Sequence, residues 1–210
     1  MNDPFPDELA PLKVKCTQSD CENGLHCYRA TARMFRENTA GKCRSCGIGL
    51  VDWDRVRGRD LADASFIFEC MRTEFIRHHF WHIEIDDKAL AHARKKGMAA
   101  IIDNVPKRLM QSIGKAHPFR DGTQTPFEGR VVYYAQHATA TCCRKCVAEW
   151  HGIPQGRPLE EEEIQYLSQL ATLYLRDRLV GIPENGLTGH RKKRRGFGPL
   201  LEGILDADHD

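Results

Sequence analysis

His137-Ala-Thr-Ala-Thr-Cys142-Cys143-Arg-Lys-Cys146-Val-Ala-Glu-Trp-His151 is the stretch from which the chain is best read. Cys143 and Cys146 are separated by two residues. At that spacing one tight turn can present two thiolates to a single cation, with its amide N–H groups facing the sulfurs. Adjacent Cys142 offers an alternative first ligand. Upstream, Arg130-Val-Val-Tyr-Tyr-Ala-Gln136 is rich in β-branched and aromatic side chains and reads as a strand. Downstream, Arg144 to Trp150 reads as a helix. A strand ending near His137 and a helix starting at the cysteines would let His137, Cys143, Cys146 and His151 converge. Two sulfurs and two imidazoles suit tetrahedral Zn²⁺, with an iron–sulfur centre as the other occupant to weigh at this second site. The alternative is three ordinary buried thiols with two surface histidines.

A first cysteine group lies nearer the N-terminus, in Cys16-Thr-Gln-Ser-Asp-Cys21 and Cys43-Arg-Ser-Cys46-Gly47. Cys16, Cys21, Cys43 and Cys46 form the expected ligand set of a zinc-ribbon-like or treble-clef-like module, with Gly47 supplying free backbone past the second pair. His26 or Cys27 could replace either member of the first pair. Nine cysteines, an odd count with two Cys-x-x-Cys pairs, favour metal ligation over a disulfide framework. A segment this short buries too little apolar area to fold alone, so the metal itself would supply folding free energy.

Gln124-Thr-Pro126, Ala135-Gln-His-Ala-Thr-Ala-Thr-Cys-Cys-Arg144 and Trp150-His-Gly-Ile-Pro154 together resemble an uncharacterised bacterial family of unknown function. The resemblance spans roughly residues 85–180. It implies a fold and a metal site and carries no reaction. The first 60 residues and the basic tail lie outside it.

Net charge is +2 with 29% charged residues, so any nucleic-acid contact has to come from local patches. No apolar run is long enough to span a membrane, and the N-terminus lacks the basic and apolar regions of a signal peptide; a cytoplasmic protein is expected. From Asp60 to about Phe80, Leu61, Ala64, Phe68, Met71 and Phe75 recur at helical steps behind an Asp60 N-cap. On that helix Glu74, His78 and His82 would share one stripe, a candidate for metal or acid–base chemistry and equally an ordinary helix C-terminus. Two short helices separated near Gly97 and Pro106 follow, carrying Arg94-Lys95-Lys96 and Lys107-Arg108 as solvated faces or phosphate contacts. His117 and Asp121, on a turn-rich loop, are further catalytic candidates. Pro158 opens a helix to about Leu179, buried along Ile164, Leu167, Ala171 and Tyr174.

The chain is therefore expected to be α+β and mostly α-helical, with a zinc module at 1–58, a helical body at 59–181 and a flexible tail at 182–210. Within the body, a second zinc knuckle would lie between a strand and a helix. Arg191, Lys192, Lys193, Arg194 and Arg195 form a basic block suited to phosphates. The leading functional expectation is a zinc protein that binds nucleic acid, DNA foremost. The alternatives are a metal-dependent enzyme on nucleic acid, nuclease- or glycosylase-like, and a structural subunit with a protein partner. A histidine at a strand end before a knuckle and helix resembles the ββα-metal nucleases, but their intermediate asparagine is missing between Arg144 and His151.

Overall fold

A computed structural model of the chain describes residues 14–187. The architecture is helical. Among the described residues the only β pairing is two isolated bridges, Asp20 with Leu25 and His26 with Glu74. Helices α1 (Ala32–Arg36) and α2 (Trp53–Arg57) are short, and each is opened by a side chain that accepts an otherwise orphaned amide: Thr31 from Met34 N and Asp52 from Arg55 N. The body comprises α3 (Ala64–Arg72), α4 (Phe75–His82), α5 (Asp87–Lys96), α6 (Met98–Ile102), α7 (Val105–Ile113), α8 (Val131–Ala138), α9 (Arg144–His151) and α10 (Glu161–Arg178). One buried cluster runs from Tyr28 and Cys43 through the body to Leu179.

At the centre α4 packs along α8, while α10 covers α7 and α8. The last helix follows its local code closely. Glu160 and Glu163 form a reciprocal capping box, three glutamates occupy the first turn, and Arg176 and Arg178 lie in the last. Ile164, Leu167, Ala171 and Tyr174 are all buried, and Tyr174 Oη donates to Phe80 O at 2.6 Å.

Two expectations are corrected here. The segment read as a strand is helix α8, so the cysteine turn joins two helices and no strand–knuckle–helix unit exists. Val131, Tyr134, Ala135 and Ala138 are its buried apolar positions, at helical spacing, and Gln136 and His137 are buried beside them. Packing that stripe against α4 and α10 outweighs the weak β preference of Val and Tyr. The helix expected from Asp60 to Phe80 is instead a 3₁₀ turn (Leu61–Asp63) followed by α3 and α4. The break at Thr73–Glu74 has a tertiary cause. His26 N donates to Thr73 O at 2.7 Å and Phe75 N donates to His26 O at 2.8 Å, so the N-terminal segment takes over backbone groups at the break.

The break between α5 and α6 is also built from outside. Gly97 has φ +81°, and a Cβ there would collide with the backbone of Asn185 and Gly186. Met98 N and Ala99 N donate to the carbonyls of Pro183 and Glu184, so residues 183–187 run along this joint.

Candidate metal centres

Cys21, His26, Cys43 and Cys46 place one ligand atom each within 4.8 Å of all the others, so together they could hold a metal ion. Cys21 opens a 3₁₀ turn that ends at Gly24 in the left-handed region. His26 is carried by its bridge to Glu74. Cys43 and Cys46 share a turn in which Gly47 N donates to Cys43 O at 2.8 Å and Gly47 adopts φ +77°, the conformation for which glycine was expected. Ser45 N points at Cys43 Sγ at 3.4 Å. The facing edges are 3.7 Å between Cys21 Sγ and Cys43 Sγ, and 3.5 Å between Cys46 Sγ and His26 Nδ1. Burial pushes the Cys43 thiol up, but backbone hydrogen bonds from Cys27, Cys46 and Ser45 and a bond with His26 outweigh this and bring it down to about 6. Burial and the contacts with Cys46 and Cys43 hold Cys21 up at about 11. The group therefore already favours one thiolate before any cation arrives.

Cys142, Cys143 and Cys146 form a second group within the same limit, and all three are buried. Ala140 in the left-handed region turns the chain out of α8, and extended Cys143 starts α9, which folds the three sulfurs back on one another. The fully buried Arg77 guanidinium reaches them: its Nη2 is 3.0 Å from Cys146 Sγ and its Nη1 3.7 Å from Cys142 Sγ. Arg77 also donates to His137 O at 2.5 Å and to Glu74 Oε2 at 3.1 Å. Glu74 in turn accepts from Trp150 Nε1 at 2.8 Å. The contact with Cys142 pushes the Cys143 thiol up to about 12. One guanidinium can offset one thiolate, whereas three thiolates in a buried pocket need a further cation or protons.

The remaining expected site residues fall elsewhere. Cys16 is outside the first group, and His26 stands in its place. His137 stacks against both Phe80 and Phe127, with Nε2 3.2 Å from the carbonyls of Thr125 and Pro126. His151 Nε2 lies 3.0 Å from Thr139 O. In both rings the nitrogen facing a carbonyl carries the proton, and the buried Nδ1 has no partner. Neither ring belongs to the group that Cys143 and Cys146 form. Glu74 is drawn inward by Arg77 and Trp150, away from His78, which stacks on His82 at 4.0 Å between ring centroids. His117 is exposed, and Asp121 accepts from Gln124 and Gln155 near the surface. Arg191 to Arg195 lie outside the described residues. No helix among the described residues is long and apolar enough to cross a membrane.

Sequence reasoning missed Arg77. Its one local signal was a charged residue on the face where Ile76 and Phe80 turn inward, which is informative only if a buried counter-charge awaits it.

One cluster of three cysteines and a histidine and a second of three cysteines, on a helical scaffold, define a candidate metal-binding protein. A family model, Domain of unknown function (DUF4186), matches residues 63–176, more than half of the chain, and the chain belongs to that family. The match contains the second group and begins after the first. No solved structure matches the chain.

Proposed function

We propose that this is a zinc protein in which Cys21, His26, Cys43 and Cys46 hold a structural Zn²⁺ that fastens the N-terminal segment to the helical body. The geometry of the group carries the reading. With Zn–S near 2.3 Å and Zn–N near 2.0–2.1 Å, a tetrahedron has S···S edges of about 3.8 Å and S···N edges of about 3.5 Å. The two facing edges match these values at 3.7 Å and 3.5 Å. A closed set of four protein ligands leaves no position for water, which is the mark of a structural site. The place of the group supports the same role, since His26 is the residue whose backbone divides α3 from α4.

The second group is proposed as a metal site of three thiolates beside Arg77. A divalent ion together with the guanidinium would offset three thiolates, leaving the Glu74 carboxylate, hydrogen-bonded by Trp150 and Arg77, as the one remaining negative charge. Burial of all three cysteines supports a stabilising role there too. The test is metal content per chain of protein purified without chelator, with an absorption spectrum and sulfur and nitrogen coordination numbers at the zinc edge. Two colourless zinc ions, one of them bound by three sulfurs and one nitrogen, are expected. Iron with visible absorbance would replace zinc at the second group, and protein free of metal would overturn the reading.

Nucleic-acid binding remains the proposed use of the basic surface, with DNA as the first partner to test. Exposed Arg94, Lys95, Lys96 and Lys107, none in an ion pair with another described residue, support it. Affinity for duplex and single-stranded DNA is expected to fall steeply with salt, and to lose slope when residues 191–195 are deleted. Absent or salt-independent binding would end that reading.

A further inference from the structure

Between the α5–α6–α7 corner and the start of α8 lies a cavity of about 280 Å³, lined by no residue of either cysteine group. Lys96, Lys107, Arg108 and Arg130 line it, and no aspartate or glutamate does. None of the four forms an ion pair with another described residue. Like charges converging on one hollow repel each other, an arrangement that an anionic ligand relieves. We propose that this cavity binds the phosphate or diphosphate group of a small organic molecule.

The lining divides by chemistry. Lys96, Lys107 and Arg130 are exposed and free to close on a ligand. Arg108 is held in place: its Nε donates to Gln136 Oε1 at 3.2 Å, its Nη2 to Gln124 O at 3.2 Å, and its guanidinium lies over the Tyr133 ring. Ala100, Ile101, Val131 and Val132 give an apolar floor on which a short apolar or ring body can rest, and Asn104 and Gln111 add neutral hydrogen-bonding groups. His92 also faces the cavity, and its Nδ1 is buried without a partner. Burial first, then Arg130, Lys96 and Lys95, hold that imidazole below its usual range.

The end of α8 adds to this field. Arg130, Val131 and Val132, which open the helix, are all cavity residues. No side chain caps this end and no acidic residue sits in its first turn. The Val131 and Val132 amides have no acceptor among the described residues. Four cations around a hollow, with a helix N-terminus opening into it, favour a compact multiply charged oxyanion over a dispersed one.

The test is calorimetric titration of the full metal-loaded chain with pyrophosphate, ADP, adenosine, citrate and a single-stranded oligonucleotide. Lys107→Ala and Arg130→Ala are the site variants and Arg176→Ala, on α10 and outside the cavity lining, the control. Pyrophosphate and ADP are expected to bind, adenosine not to, and each site variant to weaken binding about tenfold while Arg176→Ala leaves it unchanged. Both site residues are exposed, so an unchanged thermal midpoint will show that the variants fold. No binding of pyrophosphate or ADP at millimolar concentration, equal binding of citrate, or insensitivity to both variants would each overturn the proposal. So would an oligonucleotide that binds through Lys107 and Arg130 while the small phosphates do not. The tail deletion and salt slope judge the nucleic-acid reading separately.

Discussion

Replacing His26 and Cys16 by alanine, one at a time, separates the ligand set that the fold assembles from the set that cysteine spacing alone suggests. His26 Nδ1 lies 3.5 Å from Cys46 Sγ inside a group whose ligand atoms are all within 4.8 Å of one another, and Cys16 Sγ is not in that group. A structural Zn²⁺ contributes about 10–16 kcal/mol of apparent binding free energy, or about 3 kcal/mol for each of four donors. Losing one imidazole should therefore weaken zinc binding on the order of a hundredfold. His26→Ala keeps the backbone bonds to Thr73 and Phe75, so the α3–α4 break survives and the loss reports on the ring alone. Cys16→Ala should change affinity less than about threefold, because the bond from Cys27 Sγ uses the Cys16 backbone carbonyl, which alanine retains. The assay is competition for zinc against a chromogenic chelator of known affinity, with circular dichroism to confirm the helices. If Cys16→Ala loses zinc as severely as His26→Ala, the assignment of His26 in place of Cys16 is wrong.

Arg77→Met would leave the buried Glu74 carboxylate without its cation and two sulfurs without their donor, at a cost of about 3–5 kcal/mol in denaturant unfolding. A loss under 1 kcal/mol would refute the central role of the pair, and adding Glu74→Gln should recover part of the loss. His137 is pushed down to about 3 by burial and by Arg77, and His151 to about 4 by burial, against an ordinary 6.5. Because their folded values are depressed, the stability they confer is complete above pH 6.5 and drains away as pH falls toward the folded values. Each should cost about 2 kcal/mol between pH 6.5 and pH 5, at about 1.4 kcal/mol per unit. His137→Gln should reduce the measured fall by that amount, and parallel stability curves for variant and parent would exclude His137 as a source.

How far the sequence carried depends on how local each feature is. The capping box and buried stripe of α10, the caps of α2 and the Leu61–Asp63 turn, and the Cys43-to-Gly47 turn are written within a few neighbouring residues. Their geometry follows from backbone groups that need partners nearby, and so does the presence of two cysteine-rich groups. The break between α3 and α4, the helical state of α8 and the choice of His26 over Cys16 are not local. They depend on His26 reaching Thr73 and Phe75, and on α4 and α10 burying one stripe of a segment whose composition alone favours a strand. Arg77 is the clearest case: alone it is one more helical arginine, and only the fold brings it Glu74 on one side and the sulfurs of Cys142 and Cys146 on the other. Residue type and spacing determined that this chain carries two groups of clustered thiols on a largely helical scaffold. Which ligands meet, and what charge they face, was decided in the tertiary structure, because burying a charge is affordable only where its partner is delivered to it.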